Sequence, residues 1–87
     1  LALLLATDLS GTDLTEINLS GANLAGAIVS EANLTRANLR EANLTGTNLT
    51  GAKLTGANLR EATLSEADLT GVNLTEANLL GAKGLST

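Results

Sequence analysis

The stretch "ANLTRANLREANLTGTNLTGAKLTGANL", residues 32–59, returns Leu to every fifth position. The beat runs outward in both directions. The sixteen positions from 4 to 79 hold Leu fifteen times and Val29 once. Two residues before each of these the side chain is mostly Ala, with Thr7, Thr12, Ile17, Thr47 and Val72 as exceptions. The place between is Asn or Asp in most repeats, and all nine Asn of the chain fall there. The last two places are mainly Ser or Thr, then Gly or Glu, with eight of the nine Gly on the last. Even "LAGAIVSEANL", residues 24–34, keeps the register, because Leu24, Val29 and Leu34 are consecutive centres. Nothing is inserted there. Val29 is one methylene shorter than Leu, a loss of about 0.8 kcal/mol if nothing fills the space. Ile28 instead puts a large apolar side chain where Asn normally stands.

A period of five fits neither the 3.6 residues of a helix turn nor the alternation of a strand. On a continuous helix each Leu would be rotated by about 140° from the last, spreading the series around the axis. Repeated interior Gly would weaken that helix further. The spacing suits a chain that turns a corner every five residues. Asn and Gly are turn residues, since Asn bonds to nearby backbone and Gly accepts φ > 0.

These repeats resemble the A(D/N)LXX motif of the pentapeptide-repeat family, over nearly the whole chain from Ala2 to Lys83. The resemblance implies an all-β fold, a right-handed quadrilateral parallel β-helix with four pentapeptides per coil. It also implies that the centre and the residue two before it point inward. The Leu ladder from 4 to 79 and the Ala/Thr ladder from 2 to 82 are then the core. Residues 1–87 form a single domain of about four coils, with repeats over roughly 2–83. At strand spacing such a rod is ~20 Å long. A coil of twenty residues stacks Leu14, Leu34, Leu54 and Leu74 inside. Outside it stacks Thr15, Thr35, Thr55 and Thr75 in one column, and Asn18, Asn38, Asn58 and Asn78 in another.

The composition agrees with a repeat architecture. The 87 residues include no Phe, Tyr, Trp, Met, Cys, His or Pro, yet 44% are hydrophobic. A compact core of this length without aromatic rings is marginal, and a solenoid relieves this by burying each unit on its neighbour. Without Cys there are no disulfides, thiol nucleophiles or thiolate metal sites. No base stands near the Ser and Thr hydroxyls, and there is no phosphate loop or zinc spacing. Carboxylates such as Glu61 and Glu66 fall on adjacent faces and read as solvated. Lys53 shares a face with Asp13 and Glu16 but lies two coils away. The chain therefore reads as a non-enzyme with no cofactor and no metal. Five glycosylation sequons, such as those at Asn18, Asn33 and Asn43, are by-products of the repeat.

A net charge of −4 argues against direct nucleic-acid binding, and no apolar run is long enough for membrane insertion. "LALLLA", residues 1–6, has the composition of a signal-peptide core, and the absence of an initiating Met fits a processed or trimmed segment. The compartment implied is the cytoplasm, or the thylakoid lumen or periplasm if a targeting segment has been removed.

On the four-face arrangement the second face carries Asp8, Glu31 and Asp68 and no basic residue. The third and fourth carry Arg36, Arg40, Lys53 and Arg60. Arg40 and Arg60 stack one coil apart, each beside a Glu (Glu41, Glu61), which predicts a solvated, salt-bridged surface. The main functional reading is a structural or interaction scaffold with an unidentified protein partner, a family type abundant in cyanobacteria. The alternative implied by the resemblance is DNA mimicry toward a type II topoisomerase such as gyrase. A 20 Å length of duplex carries about twelve charges, against three carboxylates on the second face. The remaining alternative is ice binding through Thr15, Thr35, Thr55 and Thr75, which Arg36 and Glu76 interrupt.

Two contact surfaces follow. Ala25, Ile28, Glu31, Asp8 and Asp68 form a candidate side patch centred on the polar-poor corner at Ile28. Apolar residues also gather at the ends, Leu3 and Leu5 at the start, Leu80 and Leu85 at the finish, with Gly84 where the next Leu belongs. Exposed edges of a solenoid need covering, and Leu80 and Leu85 suggest a homodimer formed by end stacking through the C-terminal coil.

Overall fold

The unit of construction is a turn. In Leu24–Ala27 the Ala27 amide donates to the Leu24 carbonyl at 2.9 Å, and φ is +69° at Gly26. Positive φ at the third residue alone is the type II pattern. The Ala25 amide donates to Asn23 Oδ1 at 3.1 Å, so the Asn side chain braces the turn that Gly permits. All twelve Asn and Asp at this place accept the amide two residues on, at 3.0–3.1 Å. The repeat's Asn and Gly are two halves of one device.

A computed structural model of the chain describes residues 3–85. Between turns the backbone makes isolated parallel bridges, each offset by twenty residues, such as Asn23↔Asn43 and Ile28↔Asn48. Through the first three coils each ladder amide and each corner amide donates forward to the next coil, as Leu24 does to the Asn43 carbonyl at 2.8 Å and Gly26 to Thr45 at 2.9 Å. The residue before each Leu donates backward, as Ile28 does to Thr7 at 2.8 Å. A corner every five residues keeps each pairing to a single bridge, and no longer strand occurs among the described residues. The register of twenty gives four coils, residues 3–22, 23–42, 43–62 and 63–82, within extents of 26 × 24 × 21 Å.

Four bridged columns mark four faces. The first is Leu3, Asn23, Asn43, Thr63 and Lys83; the second is Asp8, Ile28, Asn48 and Asp68. The third is Asp13, Asn33, Lys53 and Asn73; the fourth is Asn18, Asn38, Asn58 and Asn78.

The interior is the Leu ladder interleaved with the Ala ladder, fully buried from Leu19 to Leu64. Thr47 is buried among the Ala, where its hydroxyl donates to the Leu24 carbonyl at 2.9 Å. Nine consecutive ladder residues, Leu9 to Leu49 with Val29 among them, line a narrow apolar void of about 10 Å³. The ladders do not stay buried to their ends. Leu4, Leu9, Leu14, Leu69, Leu74 and Leu79 are only partly covered, and Thr12, expected in the core, is exposed. Each coil buries its neighbour, and the outermost coils have a neighbour on one side only. Ala2, expected to open the inner ladder, lies outside the described residues.

The corner place is left-handed whatever residue holds it. Besides the Gly, φ is positive at Ala6, Glu16, Glu31, Arg36, Glu41, Glu61, Glu66 and Glu76. Gly84 has φ +80° and passes so close to Ser65 that a Cβ would sit 2.5 Å from the Ser65 amide nitrogen. It is a tight crossing, and Leu in that place would not fit.

Candidate functional site

The side patch divides. Asp8 and Ile28 are bridged neighbours on the second face, and Glu31 stands at the corner three residues after Ile28. Asp68 is in the same column but two coils from Ile28, with Asn48 between. Ala25 lies round the preceding corner on the first face, half-buried. The structure thus makes Asp8 and Ile28 direct neighbours, with Ala25 and Glu31 in the turns before and after Ile28 and Asp68 two coils away.

Ile28 is 38% exposed on a column otherwise made of Asp and Asn. It also has no oxygen to brace its own turn, so the Ser30 amide lacks the bond that all twelve Asn and Asp supply. The Glu31 side chain bends toward the next coil, its Cγ 3.3 Å from where a Cβ on Gly51 would lie. Gly51 leaves it room there.

The acidic groups of the face are tied into turns. The Ser10 amide (3.0 Å) and hydroxyl (2.7 Å) both donate to Asp8 Oδ1 and hold that carboxyl below the usual carboxylate range. At Asp68 the Thr70 hydroxyl, and then its amide, lower the carboxyl in the same way. The Thr15 hydroxyl and amide do so at Asp13 on the third face. A carboxylate stabilised in its ionised form is a poor proton donor, and one of its two oxygens is already used by the turn.

The salt-bridge pattern differs from the one expected. Among the described residues one ion pair forms, Arg36 Nε to Glu16 Oε2 at 2.9 Å, between corners one coil apart. Arg40 and Glu41, the two middle residues of one turn, do not pair. No His, Cys, Asp and Glu cluster able to hold a metal ion occurs among the described residues, and no helix there is long and apolar enough to cross a membrane.

At the ends, Leu80 is 63% exposed and Leu85 42%, opposite Leu3 at 71%. Leu80 lies on the fourth-face side and Leu85 on the first, so they do not form one patch. Leu85 and Gly84 instead border an open groove of about 550 Å³ against Leu64, Glu66, Ala67 and Asp68. That groove needs the Gly84 crossing, for which the repeat pattern has no signal.

The pentapeptide-repeat family model matches residues 2–41, 17–56 and 52–83 in eight copies. The chain belongs to the pentapeptide-repeat family. Among solved structures, a pentapeptide repeat protein of the Arabidopsis thaliana thylakoid lumen is 41% identical over 92% of this chain and 55% of its own, with a TM-score of 0.87. The pentapeptide repeat protein Rfr23 of the cyanobacterium Cyanothece 51142 is 44% identical, covering 93% of this chain and 58% of its own, with a TM-score of 0.56. The chain spans little more than half the length of these relatives. No curated protein matches it significantly. Like its relatives, this is a pentapeptide-repeat protein.

Proposed function

We propose that this pentapeptide-repeat domain, residues 1–87, is a non-catalytic interaction scaffold, wound in the right-handed, four-sided sense of the family. It presents a side contact for a protein partner at Ile28, flanked by Asp8 and Glu31. The observation that carries this reading is Ile28 itself. The repeat places Asn or Asp there because the oxygen braces the turn, and Ile gives up that bond to hold an apolar side chain in solvent. A hydrogen bond of this kind contributes about 0.5–1.5 kcal/mol, so the substitution is a local loss to the fold. Contact with an apolar partner surface offsets it. DNA mimicry is the poorer reading, since the second face offers few carboxylates. The lumenal Arabidopsis relative is consistent with a lumenal setting for this chain.

The test is capture of partners from an extract of the source cell with the wild-type chain and with Ile28→Asn. The variant should fold at least as stably, by circular dichroism, and lose the captured protein. Capture unchanged by Ile28→Asn would sink the side contact.

A further inference from the structure

One turn in the middle of the rod offers its polar donors outward where its neighbours use theirs within the chain. At Thr15, Thr35, Thr45, Thr50, Thr70 and Thr75 the backbone amide and the hydroxyl both donate to one side-chain oxygen of the Asn or Asp two residues before. The two donors make a seat for a single oxygen, with the amide at 3.0–3.1 Å and the hydroxyl at 2.5–2.7 Å. Asp13 and Asp68 show that a carboxylate fits it. Thr55 belongs to the same kind of turn, with the Ala57 amide bonded to the Leu54 carbonyl at 3.0 Å and φ of +67° at Gly56. Two residues before it stands Lys53, which has no side-chain oxygen. Among the described residues nothing accepts from the Thr55 amide or hydroxyl, and the hydroxyl is open to solvent.

The charges beside this seat are positive. Lys53 is exposed on the third face, between Asn33 and Asn73 of the adjoining coils. Arg36 stands at the corner one coil before, and its Cγ lies 3.3 Å from where a Cβ on Gly56 would be, so its stem runs beside the Thr55 turn. Its Nε holds Glu16 at 2.9 Å, and its two Nη groups keep their donors for a further acceptor. The other turns without an Asn or Asp differ. Ser30 has Ile28, Glu31 and the bridged Asp8 of Ile28 around it, a setting that repels an anion. The Gly84 crossing covers Ser65. Leu5, which follows Leu3, has no hydroxyl.

We propose that the turn Lys53–Gly56 is a docking seat for a carboxylate carried by a protein partner. An Asp or Glu side chain of that partner places one oxygen on the Thr55 amide and hydroxyl, as Asp13 does for Thr15 in the same column, and Lys53 and Arg36 balance its charge. A carboxylate suits the seat better than a phosphate. Glu76 lies in the corner column one coil beyond Gly56 and opposes a second negative charge. The seat is on the third face, so it goes beyond the contact at Ile28 and does not depend on it.

The experiment is a titration of the isotope-labelled chain with the capped peptide Gly-Asp-Gly at fixed ionic strength, read at the Thr55 amide by proton–nitrogen NMR. The expected result is a saturable shift at Thr55, with the Thr15 and Thr75 amides, already bonded within the chain, left in place. Capped Gly-Asn-Gly should bind roughly tenfold more weakly, as a neutral acceptor does beside a charged one. Lys53→Asn supplies the missing oxygen from the chain itself; it should fold like the neighbouring repeats, by circular dichroism, and abolish the shift. Lys53→Ala removes the charge and leaves both donors, so binding should weaken by only about two- to fivefold, the value of an exposed ion pair. No saturable shift at Thr55, or equal losses from Lys53→Asn and Lys53→Ala, overturns the seat. Tighter binding of capped Gly-phosphoserine-Gly overturns its assignment to a carboxylate. Ile28→Asn should leave the titration unchanged, which separates a failure here from a failure of the side contact.

Discussion

At the scale of single residues, two places depart from the ideal repeat in opposite ways. Val29 is one of nine ladder residues lining the narrow interior void and is 2% exposed, so the methylene it lacks relative to Leu is missing from the core. Val29→Leu should raise the urea-unfolding stability by about 0.8 kcal/mol; a decrease would mean the ladder is already full at that layer. Glu41 is the second case. Its φ of +60° is a conformation an L side chain adopts at a penalty of ~1–2 kcal/mol, part of which Gly regains at the expense of chain entropy. Glu61 stands in the same corner column one coil on, so like charges add to the strain. Glu41→Gly should stabilise the fold by about 1 kcal/mol, read as a shift in the denaturation midpoint. That Gly marks the left-handed corner was legible in the sequence. That Glu occupies the same conformation was not, because Glu carries no turn signal of its own and reads as surface charge.

At the scale of the element, the five-residue turn explains which features were readable. Leu, Ala, Asn and Gly each have a role set within one repeat, so their spacing alone located the core ladders, the outward column and the corners. Contacts between coils need the register of twenty and the direction of each side chain. Arg36 finds Glu16 through both, whereas Arg40 and Glu41 are neighbours in sequence that form no ion pair. The side patch shows the same limit, since Ala25 and Glu31 each lie three residues from Ile28, in the turns on either side of it, and only Asp8 is its bridged neighbour. The turn also predicts how the fold responds to acid. The carboxyls of Asp8, Asp13 and Asp68 are held below their unfolded values by the Ser or Thr two residues on. A lowered folded value stabilises the native state fully above the unfolded carboxylate range, near pH 4, and the contribution is lost as pH falls through the folded values. Melting temperature should therefore drop on acidification below about pH 4. The triple variant Asp8→Asn, Asp13→Asn, Asp68→Asn keeps an acceptor that does not titrate, and its drop should be shallower. An identical acid limb would show that these turns contribute nothing to the pH dependence.

For the whole molecule, stability is a sum of coil–coil interfaces, and the first and last coils have one interface where the inner coils have two. The same side chain then has a different value by position. Leu49 is fully buried between coils, while Leu14 is only partly covered. Leu49→Ala should lower the unfolding free energy by about 3 kcal/mol, the usual range for a buried Leu. Leu14→Ala should lower it by roughly 1 kcal/mol, in proportion to the smaller area it takes from water. Urea titrations of dilute protein measure both, and hydrogen exchange supplies a second reading. The Leu44 and Leu49 amides, bonded to the Thr63 and Asp68 carbonyls of the next coil, should exchange slowly; the Leu74 and Leu79 amides, which have no acceptor among the described residues, should exchange fast. Equal losses from the two Leu→Ala variants in dilute solution would mean that the ends are covered within a single chain, and the open-ended rod would have to be abandoned.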